Sequence, residues 1–154
     1  GMRPVNPRTR PGEERSLITF EAGVLGLSEH EVIELYDSVG WTAYTDHPDR
    51  LMAGIRASLR VVAARADGRL CGLSRAVGDG ETIVYVQDVL VSPRDRRRGI
   101  GAGLMKALSE PFGHVRQTVL LTDTDPGQKA FYESLGFAEV SAEGTNLRSF
   151  VRFR

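Results

Sequence analysis

The segment from Leu59 to Val91 constrains the fold of this chain more than any other. It contains three stretches rich in β-branched and small apolar residues, separated by the dipeptides Asp67-Gly68 and Asp79-Gly80. Asp-Gly between two apolar stretches is typical of a hairpin turn, because glycine adopts the positive φ that such turns require. The segment therefore predicts a three-stranded antiparallel meander.

Helices and further strands are predicted on both sides of this meander. After a first strand, Ser28 and Glu31 form a capping-box pattern that predicts a helix, and a second helix is predicted over residues 48–58. Apolar spacing predicts two more helices, after Gly99 and after Asp125, with a buried strand between them and two strands at the end. This order predicts a mixed α/β (α+β) fold with six to seven strands and four helices.

Length and composition fit one globular domain. The chain has 154 residues, enough to bury a core without disulfides or metals. Residues 1–14 are rich in Pro, Arg and Gly and predict a disordered tail, in which Gly1 before Met2 is typical of an expression scar. Residues 15–154 are predicted to form the single domain.

Charge and cysteine content disfavour several classes of protein. The 20 basic and 20 acidic residues balance, which argues against a general nucleic-acid or membrane-surface binder. Cys71 is the only cysteine and the three histidines are scattered, so neither a disulfide nor a metal site is predicted. Without a signal-peptide pattern or a membrane-spanning apolar run, a cytoplasmic protein is expected.

A run of arginines and glycines follows the longest predicted strand and leads into a helix: Ser92-Pro93-Arg94-Asp95-Arg96-Arg97-Arg98-Gly99-Ile100-Gly101-Ala102-Gly103-Leu104. A strand that leads through a loop into the start of a helix brings unpaired backbone N–H groups close to the positive end of the helix dipole. This arrangement favours binding of an anion. Arginine side chains add charge-assisted hydrogen bonds. The alternative is a solvated charge run before a flexible helix start.

Two common nucleotide-binding loops are excluded by the residues of this run. A Walker loop ends in Gly-Lys-Ser/Thr, whereas Gly101 is followed by Ala102 and Gly103. A Rossmann fingerprint requires a third glycine where this chain has Leu104, and an antiparallel meander does not supply the parallel unit of that fold.

Two blocks of the sequence resemble the GNAT superfamily of acyl-CoA-dependent N-acyltransferases. The family pattern Gln/Arg-x-x-Gly-x-Gly/Ala corresponds to Arg96, Gly99 and Gly101, and an aromatic-rich helix ending in Leu-Gly-Phe corresponds to residues 129–137. The element order from Arg15 to Phe153 also fits that fold. The resemblance implies that acetyl-CoA (coenzyme A) is the cofactor and that the arginine–glycine run holds its pyrophosphate.

The resemblance also implies roles for single residues. In such proteins the fourth and fifth strands splay apart at a bulge, and the pantetheine arm inserts between them like an extra strand. The backbone N–H of Val89 is the candidate oxyanion donor, and Tyr132 is the candidate general acid for the leaving thiolate, or else a core aromatic of its helix. The residues expected to contact the cofactor are Val89, Leu90, Val91, Arg96, Arg97, Arg98, Gly99, Ile100, Gly101, Ala102, Asp125, Lys129 and Tyr132.

Asp88 is the candidate general base, because it is the only carboxylate in the apolar run from Ile83 to Val91. The alternative is an ion pair with an arginine of a neighbouring strand, such as Arg75, and the sequence leaves both open. Many members of the family carry a glutamate where this chain has Tyr85. Asp125 replaces the asparagine that is frequent after their fifth strand.

Tyr36, Trp41, Tyr44 and Asp46 are candidates for binding the acceptor amine. Aromatic faces can wall an apolar pocket or hold a cation, and a carboxylate attracts a positive amine. The alternative is that Tyr36 and Trp41 anchor the first helix to the sheet. A second, narrower similarity, to the plastid arylalkylamine acetyltransferases of plants and their bacterial relatives, suggests arylalkylamines or polyamines as acceptors.

The resemblance therefore predicts acetyl transfer from acetyl-CoA to a primary amine of a small molecule, by direct attack in a ternary complex. The alternatives are acetylation of a protein N-terminus or lysine, and a sensor that binds acyl-CoA without turnover. The expected partner is a small-molecule amine, without nucleic acid or membrane. The apolar character of the last strand favours a homodimer.

Overall fold

Five strands form one mixed sheet in the computed structural model, which describes residues 16–142 and 144–154. Consecutive strands from the first to the fourth pair antiparallel, and the fifth pairs parallel with the fourth. The predicted tail lies outside the described residues. In order across the sheet the strands are β1 (Ile18–Ala22), β2 (Arg60–Ala66), β3 (Arg69–Gly78), β4 (Ile83–Val91) and β5 (Gln117–Leu120).

The four predicted helices are present, together with one further short helix. The described residues divide into two compact units after Leu120, and the last helix belongs to the second unit. No helix within the described ranges has the length and apolar character needed to cross a membrane. The helices are α1 (Glu29–Ser38), α2 (Thr42–Thr45), α3 (Pro48–Ala57), α4 (Ile100–Ser109) and α5 (Pro126–Ser134).

The predicted meander is present as β2, β3 and β4, but its two turns differ. Asp67 and Gly68 have φ of 49° and 86° and form a two-residue hairpin connection. The second connection spans residues 79–82. There the Asp79 carboxylate accepts hydrogen bonds from the N–H groups of Glu81, Thr82 and Ile83. A side chain thus organises the turn that the dipeptide alone was expected to form.

Helices cover both faces of the sheet. The Ser74 hydroxyl donates to the Leu104 carbonyl of α4, at 3.3 Å, so Ser74 points to the face that α4 covers. Its neighbour Leu73 belongs to the buried cluster formed with α1 and α3 on the opposite face. As the connection between the parallel strands β4 and β5, α4 supplies the crossover that such a pair requires.

Two glycines set how closely α4 approaches the sheet. A Cβ on Gly72 of β3 would lie 3.0 Å from Leu104 Cδ1 and 3.2 Å from Ile100 Cγ2. A Cβ on Gly103 of α4 would lie 2.2 Å from the ring of Phe20. The first turn of α4 is therefore held close to the sheet.

A β-bulge at Gln87 reverses the faces to which the following side chains of β4 point. Arg75 lies opposite Asp88 and Ala76 lies opposite Val86, so Gln87 is an extra residue on β4. Because the extra residue breaks the strict alternation of a strand, Val86 and Asp88 point to opposite faces although they are two residues apart. Asp88 consequently lies on the face covered by α1.

The two strands predicted at the C-terminal end are not formed by the described residues of that part. From Phe137 to Arg154, Glu143 aside, no strand is assigned, and Phe150 and Phe153 are exposed. Alternating apolar residues indicate a half-buried surface, but a strand also requires a neighbouring strand, which a local pattern does not specify. Short α2 replaces part of the loop expected between α1 and α3.

We expect Gly72→Ala to destabilise the protein by about 1–3 kcal/mol, because the added methyl group meets the backbone carbonyl of Leu90 at 3.1 Å and the buried Leu104 side chain of α4 at 3.0 Å. Urea denaturation measures the free energy of unfolding. Gly113→Ala is the matched control, since a Cβ there meets nothing within 4 Å and φ is −60°. Equal stability of the two variants would contradict the close packing of α4.

A second prediction concerns the ion pair that holds α1 against β2. Arg65 Nη1 donates to Glu31 Oε1 at 2.7 Å, and this hydrogen bond is the main reason why the pKa of Glu31 falls from 4.5 to about 2. A lowered pKa in the folded state means that the stabilisation is complete above pH 4.5 and is lost as the pH falls towards 2.

Glu31→Gln should therefore lower the Tm at pH 7 and have progressively less effect between pH 4.5 and 2. Thermal unfolding followed by circular dichroism across this range measures the difference from wild type. Glu34→Gln, at an exposed position on the same helix, is the control. A Tm difference that is independent of pH would exclude the ion pair as its cause.

Candidate functional site

Part of β4 has a free edge on the side of β5. The β4–β5 register runs from Ile83 opposite Gln117 to Val86 opposite Leu120 and then stops. Within residues 16–120, no strand pairs with residues 87–91 on that side. Such an edge presents unpaired N–H and C=O groups that an extended ligand can match. The three residues predicted to line the pantetheine arm, Val89, Leu90 and Val91, lie on this edge.

The loop after β4 leads into a helix start whose first backbone N–H groups lack acceptors within the helix. Arg97 and Gly99 adopt left-handed conformations, with φ of 64° and 73°. Gly99 caps α4 without a side-chain hydrogen bond, and the first N–H bonded inside the helix is that of Gly103, to the Gly99 carbonyl. The N–H groups of residues 100–102 therefore have no acceptor within the helix. Together with the positive end of the helix dipole, they present partial positive charge, which favours an anion.

A buried carboxylate fastens this loop to the sheet. Asp95, only 2% exposed, accepts two hydrogen bonds from the Arg69 guanidinium at 2.9 and 3.0 Å, and a third from Arg98 at 3.3 Å. The hydrogen bonds from Arg69 are the main cause of the lowered pKa of Asp95. Arg98 also donates to the Ser16 carbonyl at 2.7 Å. These bonds fix the start of the loop against β3 and the residues before β1.

The three arginines predicted to contact the cofactor therefore differ. Arg98 is half-buried and engaged with Asp95. Arg96 and Arg97 are exposed, and no ion pair joins either of them to another described residue. Both are therefore exposed charges close in sequence to the start of α4.

Asp88 forms a buried ion pair with Arg75, which was one of the two interpretations that the sequence left open. Arg75 Nε donates to Asp88 Oδ2 at 2.5 Å, and the Tyr36 hydroxyl donates to the same oxygen at 2.8 Å. Burial works to lower the pKa of Arg75, but the neighbouring Asp88 carboxylate raises it above its ordinary value. Burial also raises the pKa of Tyr36. All three side chains are buried, and the role of Asp88 as general base stays a prediction.

A chain of hydrogen bonds connects this carboxylate to the surface. The Tyr44 hydroxyl donates to Asp88 Oδ1 at 3.0 Å and accepts from Gln87 Nε2 at 2.7 Å. The Arg75 guanidinium also lies 5.8 Å from the centre of the Tyr44 ring. The bulge residue, the half-buried tyrosine and the buried ion pair thus form one network.

The four residues predicted to bind the acceptor lie in different surroundings. Tyr36 has no exposed surface, which favours the alternative that it anchors α1 to the sheet. Trp41 and Tyr44 are half-buried and contact the Tyr36 ring edge-on, at 5.8 and 5.3 Å between centroids. Asp46 is exposed and lines a surface cavity of about 510 Å³ with residues 47–50. Binding of the acceptor by these residues stays a prediction.

Three further predicted residues lie in the second unit, on or next to α5. The Asp125 carboxylate caps the helix by accepting from the Gly127 N–H at 2.8 Å. Lys129 pairs with Glu139 at 2.9 Å. Tyr132 packs edge-on against Phe131 and Phe137, and burial raises its pKa. Their predicted roles towards the cofactor are not tested by these contacts.

Sequence reasoning missed Gln87 and the Asp95–Arg69 pair. Asp95 is the single carboxylate among the arginines of its run, and that isolation is the signal that could have identified it as a buried partner. Gln87 carries no such signal, because a bulge depends on the pairing of two strands and not on one residue type.

We expect Asp88→Asn to cost about 3 kcal/mol or more of stability, because it leaves the Arg75 guanidinium buried without its counter-charge. Urea denaturation measures this loss. Asp37→Asn, at an exposed position on α1, is the control and should stay within about 0.5 kcal/mol of wild type. A loss no larger than that of the control would contradict a structural ion pair.

Comparisons with known proteins agree with this geometry. The family model described as an acetyltransferase (GNAT) domain matches residues 41–147. A GNAT-family acetyltransferase from Streptococcus pneumoniae is 31% identical and has a TM-score of 0.79, over 90% of this chain and 98% of that chain. No curated protein matches the sequence.

More distant structures share the fold. A GNAT-family structure from Xanthomonas campestris is 23% identical with a TM-score of 0.70, over 90% of this chain and 96% of that chain. Aminoglycoside N-acetyltransferase AAC(6′)-Iy, in complex with CoA, is 21% identical with a TM-score of 0.67, over 97% of this chain and 99% of that chain.

The prediction of a GNAT-type mixed α/β fold is therefore confirmed, with five strands among the described residues instead of six or seven. The narrower similarity to plant arylalkylamine enzymes stays a prediction. Since the family model covers more than half of the chain, and a structure of the same family is 31% identical over 90% of it, the chain belongs to the GNAT acetyltransferase family.

Proposed function

We propose that this protein transfers the acetyl group of acetyl-CoA to a primary amine of a small molecule, by direct attack in a ternary complex. The cofactor is acetyl-CoA, as the GNAT family assignment implies and as the complex of AAC(6′)-Iy with CoA supports. The observation that carries the proposal is the loop between β4 and α4. There, N–H groups without an acceptor in their helix follow a strand edge, and two exposed arginines have no ion-pair partner among the described residues.

The residues of the loop fit a pyrophosphate. The N–H groups of residues 100–102 and the dipole of α4 favour negative charge, and a left-handed Arg97 and Gly99 shape the backbone around it. Arg96 and Arg97 supply charge-assisted hydrogen bonds. Asp95 does not oppose the anion, because its carboxylate is buried and paired with Arg69.

The free edge of β4 fits the pantetheine arm. Its peptide-like groups can pair with the N–H and C=O groups of residues 87–91 as an added strand would. The backbone N–H of Val89 is the proposed donor to the carbonyl oxygen of the acetyl group. This placement brings the reacting carbonyl to the end of the edge at which β5 begins to pair.

Acetyl-CoA, when bound, supplies an activated thioester. The neutral amine nitrogen forms a C–N bond to the acetyl carbon as the C–S bond breaks, and the nitrogen then loses a proton. Tyr132 is proposed to give its phenolic proton to the departing thiolate, on the resemblance to the family. Asp88 accepts two hydrogen bonds at Oδ2 and one at Oδ1, so of about four acceptor positions only one, on Oδ1, is left to take the proton from nitrogen.

Aminoglycosides, arylalkylamines and polyamines are the acceptor classes to be compared. The first is the class that AAC(6′)-Iy acts on by name. The other two follow from the narrower sequence similarity to plant arylalkylamine acetyltransferases, and the half-buried aromatic pair Trp41 and Tyr44 is compatible with them. An acceptor that carries several amines would also meet the exposed Asp46.

Thermal unfolding with acetyl-CoA, CoA or NAD tests the proposal. At about 100 times its Kd, a ligand adds about 2.7 kcal/mol, which raises the Tm of a domain of this size by several degrees. We expect stabilisation by acetyl-CoA and CoA and none by NAD. Release of free thiol from acetyl-CoA is then measured with kanamycin, tryptamine and spermidine as probe amines.

The double variant Arg96→Ala/Arg97→Ala should weaken CoA binding about tenfold or more, since each charge-assisted hydrogen bond contributes about 1.5–3 kcal/mol. Arg56→Ala, at an exposed position on α3, is the control and should leave the Kd unchanged. Absence of any thermal shift with CoA would overturn the proposed function. A shift with thiol release only on a lysine peptide would redirect it to protein acetylation.

A further inference from the structure

We propose that the side-chain carbonyl of Gln87, Oε1, accepts a hydrogen bond from the N–H of the reacting amine and so positions the amine for attack. This inference rests on the proposed function and goes one step beyond it. It assigns a polar group of the protein to the nucleophile, whichever amine the enzyme uses. Gln87 is a positioning residue in this proposal.

The direction of the hydrogen-bond chain determines which end of the Gln87 amide is free. Asp88 receives the Arg75 guanidinium, so its carboxylate acts as an acceptor. The Tyr44 hydroxyl, which has a single proton, must then donate its hydrogen bond to Asp88 Oδ1. A group that approaches the Tyr44 oxygen has to donate, and the Gln87 NH₂ does so at 2.7 Å. The carbonyl end of the amide is left without a protein donor in residues 16–120.

The bulge places this carbonyl beside the reacting centre. Gln87 is the first residue of β4 beyond the last pair with β5, Val86 opposite Leu120. Its side chain is exposed, and it lies two residues from Val89, the proposed donor to the acetyl carbonyl. Four residues of strand, about 13 Å, separate it from Val91, after which the pyrophosphate loop follows. The side chain thus stands at the thioester end of the free edge.

An uncharged acceptor suits the chemistry of this position. A carboxylate as the hydrogen-bond acceptor of the amine would favour its ammonium form, which has no lone pair for attack. Asp88 has less of this effect, because its charge is paired with the Arg75 guanidinium. An amide carbonyl accepts an N–H without that bias, so it can orient the neutral amine. The rigid anchorage of the NH₂ end through Tyr44 and Asp88 limits the rotation of the amide and keeps the oxygen in place.

Two CoA thioethers test this inference without knowledge of the natural acceptor. In S-(N-methylcarbamoylmethyl)-CoA, the amide carbonyl stands for the acetyl carbonyl, and the N–H stands for that of the attacking amine. S-(N,N-dimethylcarbamoylmethyl)-CoA lacks the N–H. Isothermal titration calorimetry measures the Kd of both compounds and of CoA for wild type, Gln87→Met and the control Gln117→Met, which changes an exposed glutamine on β5.

Wild type should bind the N–H compound about five- to tenfold more tightly than the dimethyl compound, as one hydrogen bond predicts. Gln87→Met keeps the volume of the side chain but removes its acceptor, so the ratio should fall to about one while the Kd of CoA stays constant. Gln117→Met should behave as wild type.

A ratio that is unchanged in Gln87→Met, or absent in wild type, would overturn the role of Gln87. An equal loss of affinity for all three compounds in Gln87→Met would also overturn it, because Gln87 would then only shape the strand edge. Failure of wild type to bind CoA would instead overturn the proposed function itself, so the two failures are distinguishable. Tyr44→Phe should lower the ratio in part, since it frees the amide to rotate.

Discussion

The bulge at Gln87 is the constraint on which the rest of the site depends. One extra residue in β4 moves Asp88 to the face of α1, where Arg75 and Tyr36 complete a buried polar cluster. Without it, strict alternation would place the carboxylate on the same face as Val86, beneath α4. β5 pairs with β4 only up to the residue before the bulge, so the free edge begins where the strand changes its course. The buried Asp88 carboxylate and the open edge of β4 therefore have the same structural origin, the bulge at Gln87.

Local patterns in the sequence predicted most of the elements that frame the site. The capping box at Ser28 and Glu31, the tight turn at Asp67 and Gly68 and the helix start after Gly99 depend on neighbouring residues only, and each is present in the structure. The family blocks around Arg96 and Tyr132 predicted the superfamily that the comparisons then confirmed. Information that is local in the chain was sufficient for these features.

The features that the sequence could not supply depend on pairing between distant residues. Whether Asp88 meets Arg75 is decided by a register shift between two strands, and the composition of either strand does not encode that shift. Asp95 meets Arg69 across 26 positions of the chain. The alternation in residues 147–153 predicted a strand, yet alternation without a specified partner does not produce a ladder among the described residues. Local periodicity indicates which side chains of a segment are buried, but it does not identify the strand with which the segment pairs.

A neutral chain can still present a positive site, because its charges are not neutralised evenly. The 20 basic and 20 acidic residues cancel in number. The buried Asp95 pairs with Arg69 and Arg98. The buried Asp88 pairs with Arg75. Arg96 and Arg97 remain exposed beside the start of α4, where the positive end of the helix dipole adds to their charge. The electrostatic field at that point depends on which arginines are paired with buried carboxylates and which are exposed. The net charge of the chain therefore carries little information about that field.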